Sequence, residues 1–105
     1  GSVVLRDRKH LAEDGMIVVV LPYSSYDHLM VSEPEIVTRG FIYVKEAEEL
    51  MEELKRVTYE SVEACAAQHI TDWSTIKSRV KNNLSGYLYK TTKRNPMILP
   101  VITEI

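Results

Sequence analysis

The chain has 105 residues, with 13 basic against 15 acidic side chains, 45% hydrophobic and 27% charged residues, and one cysteine. That is the length of one domain with apolar content for one core, and it excludes a disordered or membrane-like chain. A single cysteine excludes an internal disulfide and fits a reducing cytoplasm; no signal-peptide pattern is read, and Gly1-Ser2 looks like the remnant of a cleaved tag.

In chain order, Arg6–Asp14 is charged and reads as a helical or irregular lead-in that ends at the turn signal Asp14-Gly15. Met16–Leu21 is β-branched and continuously apolar until Pro22, the pattern of a central strand covered on both faces. Pro22–Asp27 then reads as a hairpin loop, with His28–Ser32 as the returning strand. Pro34 breaks the pattern before a brief extended piece, Ile36–Thr38. Phe41–Val44 is β-rich but sits directly before a helix, so both states stay open.

Ala47, Leu50, Met51, Leu54, Val57, Val62 and Cys65 recur at helical spacing, which predicts a helix from Lys45 to Gln68 with Glu52 and Arg56 as an i,i+4 pair. Asp72 is a fitting N-cap for a second helix, whose apolar face is Trp73, Ile76, Val80, Leu84, Tyr87 and Leu88. Gly86 weakens that helix. Lys90–Asn95 reads as a basic connector and Pro96–Ile105 as a final strand, where Pro100 predicts an edge position or a bulge.

The order β-β-α-α-β predicts an α+β two-layer sandwich, a small and mostly three-stranded sheet with two helices on one face. Two helices leave the other side of the doubly apolar strand uncovered. Another subunit or domain is expected there, which makes Ile17, Val18, Val19 and Val20 interface candidates.

No metal-ligand spacing and no glycine-rich phosphate loop is present. Cys65 and His69 share a helix face at i,i+4 but lack a third group, and the glutamates of 46–53 read as a solvated face. A free-standing enzyme is therefore not predicted, and no cofactor is expected in this chain. Charge is unevenly placed: residues 41–71 hold three bases against seven acids, and residues 72–95 hold six bases against Asp72 alone. Lys77, Lys81, Lys90, Lys93 and Arg94, interleaved with Tyr87 and Tyr89, are RNA-contact candidates. Two solvated helix faces of opposite sign explain the same pattern, and both readings stay open.

Val4–Gly15, followed by the Ile/Val run, resembles the start of the C-terminal region of the ribonuclease J family. Pro34-Glu35-Ile36-Val37-Thr38-Arg39-Gly40-Phe41-Ile42-Tyr43-Val44 is similar to a block of that family, and Asp72-Trp73-Ser74 with Leu88–Ile102 resembles its tail. Within Tyr89–Lys93 a threonine stands where the tail pattern has lysine, with a lysine one place earlier. The resemblance implies a lead-in from a preceding catalytic part at 3–14 and the C-terminal domain at 15–105. It further implies a cytoplasmic enzyme of the metallo-β-lactamase class with a β-CASP insertion. Such an enzyme degrades and processes RNA as a 5′-to-3′ exonuclease and an endonuclease, using two zinc ions held outside this segment. The implied partners are the catalytic domains of the same chain and a second subunit in a homodimer, with no membrane; the domain's implied role is accessory.

Overall fold

Alternation along one strand organises the architecture. The structure, a computed structural model, describes residues 14–41 and 47–105. The expected lead-in lies outside these except for Asp14, and so do residues 42–44 of the stretch with two readings. Strand β1 (Met16–Ser24) buries Ile17, Val19, Leu21 and Tyr23 completely, while the residues between them are half-buried. Successive side chains of a strand point to opposite faces, so the first set faces a core and the second does not.

β1 is central, as expected. On one edge it pairs antiparallel with β2 (Leu29–Met30) and β3 (Glu35–Arg39), in registers that include Tyr23↔Met30 and Val18↔Val37. On the other edge it pairs in parallel with β4 (Met97–Glu104), with Val18 opposite Leu99. The expected extended piece Ile36–Thr38 thus joins the ladder as part of β3, giving the order β-β-β-α-α-β. Because β2 and β3 follow one another along the same edge, the four strands make a sheet three strands wide. Val31–Pro34 bulges out between them, four residues standing against Leu21 and Pro22 of β1.

A parallel return needs a long crossover, and the helices α1 (Ala47–Ala67) and α2 (Trp73–Thr92) supply it. Leu54, Val62 and Cys65 of α1, with Ile76, Val80, Leu84 and Leu88 of α2, close over the inner face of β1 and over Ile98. Asn83 donates to the Ser61 hydroxyl at 2.8 Å across the helix pair. No buried side-chain polar atom among the described residues lacks a partner.

Local chemistry sets the helix ends. The Asp72 carboxylate accepts from the Thr75 N–H at 2.9 Å and from its hydroxyl, the expected N-cap. α1 stops where His69 turns left-handed: the Ile70 N–H reaches back to the Cys65 carbonyl at 2.9 Å and the His69 N–H to Ala66 at 3.0 Å. α2 runs into the expected connector, to Thr92, because nothing before Asn95-Pro96 breaks it; Lys93 then caps it in the left-handed region. The expected Glu52–Arg56 pair does not form. The Arg56 guanidinium instead bridges Glu53 at 2.6 Å and Glu60 at 2.8 Å, and Lys55 stands between Glu52 and Glu33. Two carboxylates suit the forked guanidinium better than one.

Pro100 costs the sheet nothing. Met97 N–H donates to the Gly15 carbonyl at 2.9 Å and Ile105 N–H to that of Tyr23 at 3.0 Å. Odd-numbered residues of β4 thus bond to β1, and even-numbered ones, Pro100 included, face the open edge.

Candidate interaction surfaces

The outer face of the sheet is assembled from half of each strand's residues. Met16, Val18, Val20 and Pro22 of β1 lie beside Val37 of β3 and beside Met97, Leu99 and Val101 of β4. Among the described residues of the strands, charge enters this face only at the two ends of β3, through Glu35 and Arg39. Leu99 and Val101 are 42% and 44% exposed, and Ile105 just beyond them 72%. Among the described residues both helices pack on the opposite side. The pleat therefore divides the four expected interface residues: Val18 and Val20 face outward, whereas Ile17 and Val19 are core, 1% and 0% exposed. Val37, Leu99 and Val101 were not among the candidates. Leu99 and Val101 reach this face through the parallel placement of β4 and Val37 through the antiparallel pairing of β3, neither of which the strands' sequences encode locally.

The basic candidates occupy two places. Lys77 and Lys81, one helical turn apart, line a groove of about 330 Å³ with Ser74, Ser78 and Pro100. Lys90, Lys93 and Arg94 lie at the far end of α2, and Lys93 Nζ stands 5.4 Å from the centre of the Tyr89 ring. Arg94 is turned inward. Its guanidinium lies 4.5 Å over the Phe41 ring, donates to the Phe41 carbonyl at 2.6 Å, and approaches Asp14 at 3.9 Å. Asp14 also accepts the Asn95 N–H at 2.8 Å. Asp14, Phe41, Arg94 and Asn95 thus join the entrance of β1, the exit of β3 and the exit of α2.

Gly15 and Gly40 sit inside that junction, both left-handed, with φ of 82° and 70°. A Cβ on Gly15 would lie 2.5 Å from the Arg39 carbonyl oxygen and 2.6 Å from Gly40, so glycine is what lets the two chain segments meet.

Among the described residues no group of three His, Cys, Asp or Glu could hold a metal ion. Cys65 is fully buried, and burial pushes its thiol above the usual range, the opposite of an activated nucleophile. His69 is exposed at the helix end, so the Cys65–His69 spacing does not assemble a catalytic pair. Among the described residues no helix is long and apolar enough to cross a membrane.

A family profile described as "Ribonuclease J C-terminal domain" matches residues 3–105. Ribonuclease J 2 of Staphylococcus aureus (strain NCTC 8325 / PS 47) is 43% identical over 105 residues, all of this chain and 19% of that protein. Ribonuclease J2 of Bacillus subtilis (strain 168) is 40% identical over the same length, again 19% of that protein. The chain spans about a fifth of the length of these relatives.

Proposed function

Because the chain belongs to the ribonuclease J family, as its C-terminal domain, we propose that it is the non-catalytic accessory part of a cytoplasmic RNA-degrading and RNA-processing enzyme. Its role is to join two subunits through the outer face of the sheet. In this reading the zinc ions and the hydrolysis of RNA belong to the catalytic part that precedes it. The observation that carries the reading is the apolar outer face, in which Leu99 and Val101 stand over 40% exposed in the middle of a strand. Apolar patches of this kind on a small domain mark contact surfaces.

The edges of the sheet argue for contact by face rather than by strand addition. Pro100 presents no N–H at the open edge of β4, and the opposite edge is split by the bulge at Val31–Pro34. Two sheets can then stack face to face at roughly 10 Å. Eight paired residues and three strands give a face of about 26 Å by about 14 Å, near 380 Å². A stable interface needs about 800 Å² per partner. The domain therefore contributes about half of a contact that the rest of the enzyme completes, and alone it self-associates weakly.

The test is light scattering on the full-length enzyme carrying Leu99→Asp with Val101→Asp. Both side chains are partly exposed in the domain, so the fold tolerates the change, whereas a stacked interface would have to bury two unpaired carboxylates. The mass should fall from two subunits to one, with zinc content unchanged. An unchanged mass would refute the proposal.

A further inference from the structure

We infer that the groove between α2 and the open edge of β4 holds the phosphate backbone of a single-stranded RNA segment. The inference takes from the family assignment only the choice of RNA and is independent of the proposed subunit contact. From Trp73 to Thr103 the chain has six bases and no acid, while the remainder carries seven bases and fifteen acids. The polarity is local and sharp, and at a screening length of about 10 Å a local potential is what a nearby phosphate feels.

Within that region two cations and two hydroxyls converge on the groove. Lys77 and Lys81 share a flank with Ser74 and Ser78, and Pro100 forms the facing wall. Among the described residues neither lysine has an ion-pair partner, in contrast to Lys55 and Arg56 on α1, which carboxylates hold. Two ammonium groups and two hydroxyls offer donors only to acceptor oxygens, and a phosphodiester presents those without competing donors.

The same flank continues in steps of four from Lys81 through Ser85 to Tyr89, whose ring is 59% exposed and has the Lys93 ammonium above it. Eight residues of helix span about 12 Å, the reach of three to four stacked nucleotides at about 3.4 Å each. Phosphates in the groove would thus leave a base at Tyr89, the pairing of charge and ring that single strands require. An acidic protein segment could use the lysines, but it lacks the regular alternation of charge and flat ring faces that a single strand brings to both the lysines and Tyr89.

The experiment is fluorescence anisotropy of a labelled oligouridylate with this 105-residue chain, titrated over a range of salt. Loss of two phosphate contacts in Lys77→Gln with Lys81→Gln should weaken binding and lower the slope of log affinity against log salt by about 1.4, at about 0.7 per contact. Tyr89→Ala should weaken binding roughly five- to 150-fold, the range for one lost base–ring stack, with the salt slope retained. Lys77→Arg with Lys81→Arg should restore the slope, and Lys55→Gln should leave it unchanged. The inference is overturned if the unaltered chain binds no oligouridylate at low salt, or if Lys55→Gln acts as strongly as the groove variants. It is equally overturned if the glutamine pair lowers the mass of the full-length enzyme while sparing RNA affinity, which would make the groove a protein contact.

Discussion

Replacing Gly15 by alanine perturbs the junction at its tightest point, and Gly40→Ala provides the matched comparison. Both residues are left-handed, so each substitution carries the conformational cost of an L-residue there, about 1–2 kcal/mol. They differ in space. The new Cβ at position 15 would stand 2.5 Å from a backbone carbonyl, whereas at position 40 the nearest atom is 3.6 Å away, an ordinary contact. Backbone cannot rotate aside as a side chain can, so relief at Gly15 requires β1 and β3 to separate where Met16 pairs with Arg39. Overpacking of that kind adds about 1–3 kcal/mol, for a total of about 2–5 kcal/mol. Against a typical stability of about 5–15 kcal/mol, Gly15→Ala removes a large share. Urea denaturation followed by circular dichroism should show Gly15→Ala well below Gly40→Ala in midpoint. Equal losses would mean that the close approach of residues 15 and 39–40 does not constrain the fold.

Gly86 lies in α2 with nothing within 4 Å of where a Cβ would stand, so Gly86→Ala should stabilise by about 0.5–1 kcal/mol, read as a higher melting temperature. Burial raises the Cys65 thiol and the Tyr23 phenol above their ordinary 9.0 and 10.0, so the folded chain keeps these protons to higher pH than the unfolded chain does. Stability should thus be unaffected by them below about pH 9 and should fall as pH rises beyond it, first through Cys65 and then through Tyr23. Cys65→Ala should remove the earlier part of that decline in urea midpoints measured against pH.

What the sequence could and could not say is clearest in β1. Its unbroken apolar run marks a strand covered on both sides, but Val18 and Val19 are the same residue with opposite fates, and alternation carries no signal when every position is apolar. Only the seating of α1 and α2 decides which valine is core. Pro100 was legible as an edge residue because its missing N–H restricts it; that Leu99 and Val101 join Val18 and Val20 depends on a parallel pairing with residues 81 positions away in sequence. Lys93 and Arg94 look alike as a basic pair. Their separation comes from the left-handed turn at Lys93, which sends Arg94 back toward Phe41. The groove at Lys77 and Lys81 was readable as charge, but its far wall at Pro100 belongs to another element.

The proposed contact is tested most directly by methionine oxidation in the full-length enzyme against this chain in dilute solution. Met16 and Met97 lie side by side on the outer face, whereas Met51 on α1 is a partly buried reference away from it. If the outer faces of two subunits stack, Met16 and Met97 oxidise much more slowly in the enzyme than in the dilute chain, and Met51 reacts alike in both. Equal rates at all three would contradict the account.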